Sequence, residues 1–220
     1  MAVIAVTGLR AEARIARRAG LSIVCAGGVP ARTAAALNEA IDNGVTGLVS
    51  FGMCGGLAPS FQPGTLVCAR AVIAPDGTRY PVDEAWHART PALAETVEGD
   101  VFGSNGIVGT AAEKATIHRR TGAIAVDLES AVVAEAAART RLPFIVIRAI
   151  ADPAERDLPS AAHIALTPDG SPDIGGIVAS VLREPSQLIE LVRLARDARL
   201  ALRTLARAVA AAGSVLLAPR

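Results

Sequence analysis

Ile124-Ala125-Val126-Asp127-Leu128-Glu129-Ser130, followed after an Ala-rich run by Leu142-Pro143-Phe144-Ile145-Val146-Ile147-Arg148-Ala149-Ile150-Ala151-Asp152, is the stretch that decides the fold. Its first residues predict a short buried strand. Residues 131–140 have helical spacing. Phe144 to Ile150 is an apolar run broken only by Arg148, the pattern of a strand covered on both faces. The three together predict a β-α-β unit in a parallel sheet. Glu129 and Asp152 then fall just past the C-terminal ends of two adjacent strands, the edge along which open α/β sheets bind ligands. Taken singly, Glu129 is accounted for as a first-turn acid favoured by the helix dipole, and Asp152 as a turn residue before Pro153. Taken together at one edge, they point to a shared pocket.

Working outward, Ala2 to Val6 predicts a buried first strand and Leu9 to Arg18 a helix, with Arg10 and Glu12 at its start. Leu21 to Ala26 predicts a second strand, Gly27-Gly28-Val29-Pro30 a turn, and residues 31–43 a helix. Arg32 in that helix's first turn opposes the dipole, which suggests an anionic ligand such as phosphate. Val45 to Phe51 reads as the next strand. It leads into Gly52-Met53-Cys54-Gly55-Gly56, read as a turn whose glycines let a ligand approach the backbone. Gly64 to Ala74 predicts a long strand, Pro75-Asp76-Gly77-Thr78 a turn, and Gly106 to Gly109 another strand. Ala111 to Arg119 predicts a helix with Thr110 as N-cap. The segment 80–95 has no clear pattern.

Beyond Asp152, residues 153–171 are rich in Pro, Asp and Ala and read as a loop able to cover the pocket. Residues 174–212 are helical with a break near Pro185. In a basic amphipathic helix at about 186–212, Arg193, Arg196, Arg199, Arg203 and Arg207 recur on a face of their own. A covering helix with a solvated basic face accounts for this. The sharper reading is a surface that meets anionic lipid.

At 220 residues, of which 51% are apolar, the chain suits one domain over residues 1–220 with a full core. The predicted class is α/β, a three-layer αβα sandwich around a mixed, mostly parallel sheet. A formal charge of +1 argues against a nucleic-acid binder. The three cysteines, Cys25, Cys54 and Cys68, form no CxxC pair and lie in or beside apolar runs, as reduced core thiols do. His87, His118 and His163 are scattered, so no metal site is expected. The first residues lack a signal-peptide pattern and no apolar run reaches the length of a membrane span. A cytoplasmic protein is expected, peripheral to the inner membrane if the last helix binds lipid.

Residues 126–130 and 143–152 resemble the core of the nucleoside phosphorylase and nucleosidase superfamily, which includes the methylthioadenosine/S-adenosylhomocysteine nucleosidases. Phe51 to Pro59 and Pro63 to Val67 resemble that family's glycine-rich turn and following strand. The resemblance implies an enzyme that cleaves a purine N-glycosidic bond with no cofactor. It assigns Asp152 as the acid at the base nitrogen N7 and Glu129 as acceptor of the two ribose hydroxyls, with Leu128 under the sugar. It assigns Glu12 as the base that activates water. Met53, Gly55 and Gly56 would lie along the ribose, Met53 standing where the family often has serine. Ala112 and Glu113 stand where the nucleosidases place a stacking aromatic. If inorganic phosphate is the co-substrate instead of water, Arg10 and Arg32 are the candidates to hold it.

A finer likeness lies in the start Gly8-Leu9-Arg10-Ala11-Glu12-Ala13-Arg14, the short N-terminal half and the Arg-rich last helix. These resemble the hopanoid-associated phosphorylases, which implies adenosylhopane, a nucleoside with an apolar 5′ group, as substrate. Two alternatives stand beside it: a methylthioadenosine/S-adenosylhomocysteine nucleosidase and a non-catalytic nucleoside-binding relative. The family implies a homo-oligomer, but residues 18–24 leave no room for the β-hairpin that helps build the usual subunit contact.

Overall fold

The computed structural model describes residues 2–90, 96–163, 167, 170, 171, 173–217 and 219. The chain begins with strand β1 (Ala2–Thr7), helix α1 (Arg10–Arg17), strand β2 (Ser22–Cys25), helix α2 (Pro30–Asp42) and strand β3 (Val45–Gly56). Strands β4 (Leu66–Ile73) and β5 (Arg79–Pro81), the short helix α3 (Glu84–His87) and strand β6 (Thr96–Gly103) follow. Then come helix α4 (Ala111–Thr121), strand β7 (Ala125–Asp127), helix α5 (Ser130–Thr140) and strand β8 (Phe144–Asp152). Helices α6 (Ile174–Arg183) and α7 (Gln187–Ala212) come last, apart from a short 3₁₀ turn. Among the described residues no helix is long and apolar enough to cross a membrane.

Local chemistry sets the helix ends. Pro30 opens α2 at its first position, where a missing N–H costs nothing. Thr110 and Glu113 cap α4 reciprocally: Thr110 Oγ1 accepts from the Glu113 N–H, and Glu113 Oε2 accepts from the Thr110 N–H at 3.0 Å. Gly122, at φ 72°, closes that helix in the left-handed conformation.

The eight strands form one mixed sheet. β1 pairs in parallel with β2 and β3, β3 with β8, β4 with β6, and β6 with β7. Antiparallel pairs join β3 to β7, β4 to β5 and β4 to β8. Strands β3, β8, β4, β6 and β7 therefore close a ring, with β1 and β2 extending from β3. Alternate residues of the central strands enter opposite cores. Val3, Ala5, Ile145 and Ile147 pack with Ile15 of α1 and Leu205 of α7. Ile4, Val6, Phe144 and Val146 pack with Leu37 of α2 and Val133 of α5. This period of two, buried on both sides, is the three-layer α/β architecture that the sequence predicts.

Three local expectations are corrected. β7 and β8 are not parallel neighbours: each pairs with β3, one antiparallel and one parallel. The glycine-rich segment 52–56 is not a turn but the continuation of β3. Residues 106–109 form no strand; the strand is Thr96–Gly103, which carries Glu98 and Asp100 within its first five residues and so lacks an apolar signature. In the unread segment 80–95, residues 91–95 lie outside the described residues, as do 164–166, 168 and 169 in the loop after Asp152.

Candidate active site

Gly55 is the pivot. On one side it is in register with Val126 of β7, and on the other with Asp152 of β8. The β3–β8 register slips between Cys54 and Gly55, as at a β-bulge, where strands bend. Through these two pairings the closing ring brings the ends of β7 and β8 together at Gly55. A cavity of about 280 Å³ opens there, lined by Glu12, Asp127, Glu129 and Asp152. Its other walls are apolar or glycine-rich: Leu9, Met53, Ile107, Leu128, Leu158 and Leu194 are the largest.

Each of three acids lies against a glycine. A Cβ on Gly52 would stand 2.7 Å from the Glu12 carboxylate, one on Gly8 2.6 Å from Glu129 Oε1, and one on Gly55 3.2 Å from Asp152 Oδ2. The missing side chains are what admit the carboxylates to the cavity wall. Glu12 caps the helix it belongs to: Oε2 accepts from the Leu9 N–H at 2.8 Å and the Gly8 N–H at 3.1 Å, while Oε1 accepts from the Met53 N–H at 2.7 Å. Burial pushes its pKa up, with Arg148 and these N–H groups opposing the rise.

Glu129 follows β7 and is held by its neighbour in sequence. Asp127 Oδ1 accepts from the N–H groups of Glu129 and Ser130 at 3.1 and 2.8 Å, fixing the entry to α5. Behind them lies Arg148, fully buried. Its Nη1 is 3.1 Å from Glu129 Oε2, and its Nη2 donates to Ser50 Oγ at 2.6 Å. Nε stands 2.7 Å from Asp127 Oδ2, as an ion pair without an aligned hydrogen bond. Burial pushes the Glu129 pKa up to about 7, against the opposing pull of Arg148. Burial likewise raises the Cys54 thiol in the cavity wall, which leaves it a poor nucleophile.

Asp152 ends β8, and its partner is Lys114 of α4, which has no exposed surface. Lys114 Nζ donates to Asp152 Oδ2 at 2.6 Å. Burial raises the Asp152 pKa and the lysine lowers it. An acid that faces the cavity and holds a proton can protonate a leaving group. An ionised carboxylate can accept from a diol or a water.

Of the residues picked out by sequence, Glu12, Met53, Gly55, Leu128, Glu129 and Asp152 line the cavity. The others fall outside it. Gly56 packs under the backbone that follows Asp152. Ala112 and Glu113 are exposed, and the Glu113 carboxylate is turned back onto its own helix start. Arg10 and Arg32 are exposed on the first turns of α1 and α2. Ile107, with Val108, occupies the wall in their neighbourhood instead. Sequence reasoning missed Lys114, Asp127, Ser50 and the role of Arg148. For Arg148 there was a signal, a charge inside an otherwise apolar strand; for Lys114 the one signal was that it is the only lysine of the sequence, at a helix position that otherwise reads as solvated. The loop 153–171 does reach the cavity, through Leu158 and Ala162, and the Gly170 carbonyl accepts from the Arg10 N–H at 3.1 Å.

Buried carboxylates that face one cavity where β3, β7 and β8 meet are the arrangement of an enzyme's small-molecule pocket. The chain belongs to the phosphorylase superfamily, whose model matches residues 16–183. It is 35% identical over 159 residues to the futalosine hydrolase of Streptomyces coelicolor, covering 61% of this chain and 68% of that protein. Among solved structures, the 5′-methylthioadenosine/S-adenosylhomocysteine nucleosidase of Neisseria meningitidis, in complex with methylthio-immucillin-A, superposes with a TM-score of 0.70 at 17% identity, over 96% of this chain and 98% of that one. The futalosine hydrolase of Helicobacter pylori superposes with a TM-score of 0.68 at 16% identity, over 94% and 97%. At these identities the superpositions speak for the fold.

Proposed function

We propose that this protein hydrolyses the N-glycosidic bond of an adenosine-type nucleoside carrying an apolar 5′ group, with adenosylhopane as the first candidate. The observation that carries the reading is that Glu12, Glu129 and Asp152 share one cavity with Asp127, and that its remaining wall is apolar or glycine. Breaking the bond leaves positive charge on the sugar and negative charge on the base, and both must be met. Asp152 gives the proton to N7. Glu129 accepts from the ribose hydroxyls. Glu12 takes a proton from the attacking water. Leu128 packs under the sugar and Met53 beside it.

Water suits this site better than phosphate. Arg148 is the cation nearest Glu12 and Glu129, and it is already engaged with Asp127, Glu129, Ser50 and the Met53 carbonyl. A phosphate dianion would be repelled by Glu12 and by Glu129 wherever these are ionised, by about 4 kcal/mol for unit charges 4 Å apart at an effective dielectric of 20. Arg10 and Arg32 are not positioned along the cavity to relieve it. The apolar wall favours a 5′ hydrocarbon over the charged amino-acid tail of S-adenosylhomocysteine, for which the apolar residues described along it offer no partner. Methylthioadenosine, with its small apolar 5′ group, is the second reading, and futalosine is a further candidate because a relative 35% identical to this chain is a futalosine hydrolase.

The same wall leads toward a lipid-facing surface. Leu194 lines the cavity from α7, and Leu182, Leu188, Ile189 and Val192 nearby in sequence are 54–77% exposed. Arg193, Arg196, Arg199, Arg203 and Arg207 are exposed along the same helix. Apolar side chains beside arginines suit an anionic bilayer. They suit a two-fold contact poorly, since arginine would face arginine.

Purified protein incubated with adenosylhopane, methylthioadenosine, S-adenosylhomocysteine and futalosine, each with and without phosphate, tests the reading. Phosphate-independent release of the purine base, adenine or, from futalosine, hypoxanthine, is expected to be fastest from adenosylhopane, and fastest release from futalosine would overturn the apolar 5′ assignment. Fastest release from methylthioadenosine selects the second reading, an absolute need for phosphate overturns hydrolysis, and binding of adenine nucleosides without turnover makes the protein a non-catalytic relative.

A further inference from the structure

Lys114 is the single lysine of the sequence, and it is fully buried. It sits in the first turn of α4, where a cation gains nothing from the helix dipole. Burying an ammonium is costly unless each of its donors is met. All three are: Nζ donates to Asp152 Oδ2 at 2.6 Å, to the Pro153 carbonyl at 3.0 Å and to the Arg156 carbonyl at 2.9 Å. The ammonium therefore grips the carboxylate and the two turns of chain that follow it. That loop has other ties to the start of α4. Asp157 Oδ1 accepts from the Ala111 N–H at 2.7 Å, and the Leu158 N–H donates to the Gly109 carbonyl at 2.7 Å. Lys114 is thus not needed merely to attach the loop. What it supplies is a positive charge in direct contact with Asp152 and outside the cavity lining.

We propose that Lys114 is the positioning residue for the acid. It holds Oδ2 so that the other carboxyl oxygen meets the base, and it neutralises the carboxylate that remains once the proton has left. The proposal rests on the reading of Asp152 as proton donor. In that step the Asp152 O–H bond breaks, an N7–H bond forms, and the electron pair of the glycosidic bond goes to the departing purine. The carboxylate gains a full negative charge at that moment, 2.6 Å from a fixed ammonium. A cation there strengthens the acid without touching the substrate. Other groups act on Asp152 more weakly: Arg156 of the loop lowers its pKa and Asp197 of α7 raises it, and these two are paired with each other. Cys54 of β3 also lies within its field, as a neutral thiol.

The test uses Lys114→Gln, whose amide still donates to the loop carbonyls but carries no charge, with Lys114→Arg as the charge-keeping control. With an adenosine-type substrate, Lys114→Gln is expected to lose about 10- to 100-fold in kcat with KM changed less than threefold, within the range that general acids contribute. Its basic limb of kcat against pH moves upward, because Asp152 without the lysine holds its proton to higher pH. Lys114→Arg restores the limb and most of the rate. With 4-nitrophenyl riboside, whose leaving group needs no proton, Lys114→Gln loses less than threefold. An equal loss on both substrates, or a basic limb that stays in place, overturns the proposal and leaves Lys114 a loop tie. Should Lys114→Gln not fold, the ¹⁵Nζ resonance of Lys114 in the wild-type protein decides. It must shift as Asp152 ionises and again when adenine binds, and an unresponsive resonance overturns the proposal. Wild-type protein that releases no purine base from any nucleoside sinks the underlying reading instead, so the two failures are told apart.

Discussion

Arg148 Nη1 lies 3.1 Å from Glu129 Oε2, and the guanidinium has no exposed surface at all. It is the shared counter-charge of Asp127, Glu129 and Glu12, which outweigh the cost of its burial and raise its pKa. Removing one partner of a buried ion pair leaves uncompensated charge and typically costs about 3–5 kcal/mol. Arg148→Met is therefore expected to lower the melting temperature by roughly 10 °C for a chain of this size. Arg148→Lys should recover only part of this, since one ammonium cannot reach Asp127, Glu129 and Ser50 together. Thermal unfolding followed by circular dichroism checks both, and a change of less than 3 °C in Arg148→Met would sink the account.

Asp152→Asn keeps the shape of the side chain and removes the proton that the base would receive. Adenine release should fall about 10²–10⁴-fold in kcat, the usual range for a positioned acid. Binding of adenine by calorimetry should persist within about tenfold, because the amide still hydrogen-bonds. Loss of binding together with turnover would instead make Asp152 a ligand-holding residue.

The architecture was legible where burial is two-sided. Phe144 to Ile150 could be read because both faces are covered, and Ala2 to Val6 for the same reason. What could not be read is how the sheet closes. The antiparallel pairing of β7 with the end of β3 involves only Gly55 and Gly56 opposite Val126 and Ala125, and two glycines write no pattern that distinguishes a strand from a turn. The acids were found as sequence positions, but their common cavity depends on that closure rather than on one shared sheet edge. The burial of Lys114 was invisible for a related reason. It is imposed by the loop after Asp152, which is distant in sequence and carries no periodic signal.

Glu129 gives the site a pH signature. Burial lifts its pKa to about 7, so near neutrality it is only partly ionised before substrate binds. If the ionised form accepts the ribose hydroxyls, kcat/KM should rise with pH through about 7 on its acid limb, and Glu129→Gln should lose that limb. The effect on stability has the opposite direction. A carboxyl whose folded pKa is raised contributes stability below the ordinary carboxylate range and loses it as pH rises through 7. Urea unfolding should then show Glu129→Gln gaining on the wild type between pH 5 and pH 8. A gain that shrinks over this window would contradict the raised pKa.

Gly8 offers the cleanest perturbation of geometry without charge. It is buried at the end of β1, and a methyl group there would sit 2.6 Å from Glu129 Oε1. Something must move, and the carboxylate at the cavity wall is freer to do so than the β-strand behind Gly8. In Gly8→Ala the Glu129 carboxylate should be pushed toward the space of the ribose. KM for a nucleoside should rise and kcat/KM should fall by about 10- to 100-fold, on the scale that a misplacement of about 1 Å carries. A 2′,3′-dideoxynucleoside has no diol to lose, so its already weak binding should change little. Equal weakening of the two ligands would place the damage in the fold around β1 rather than at Glu129.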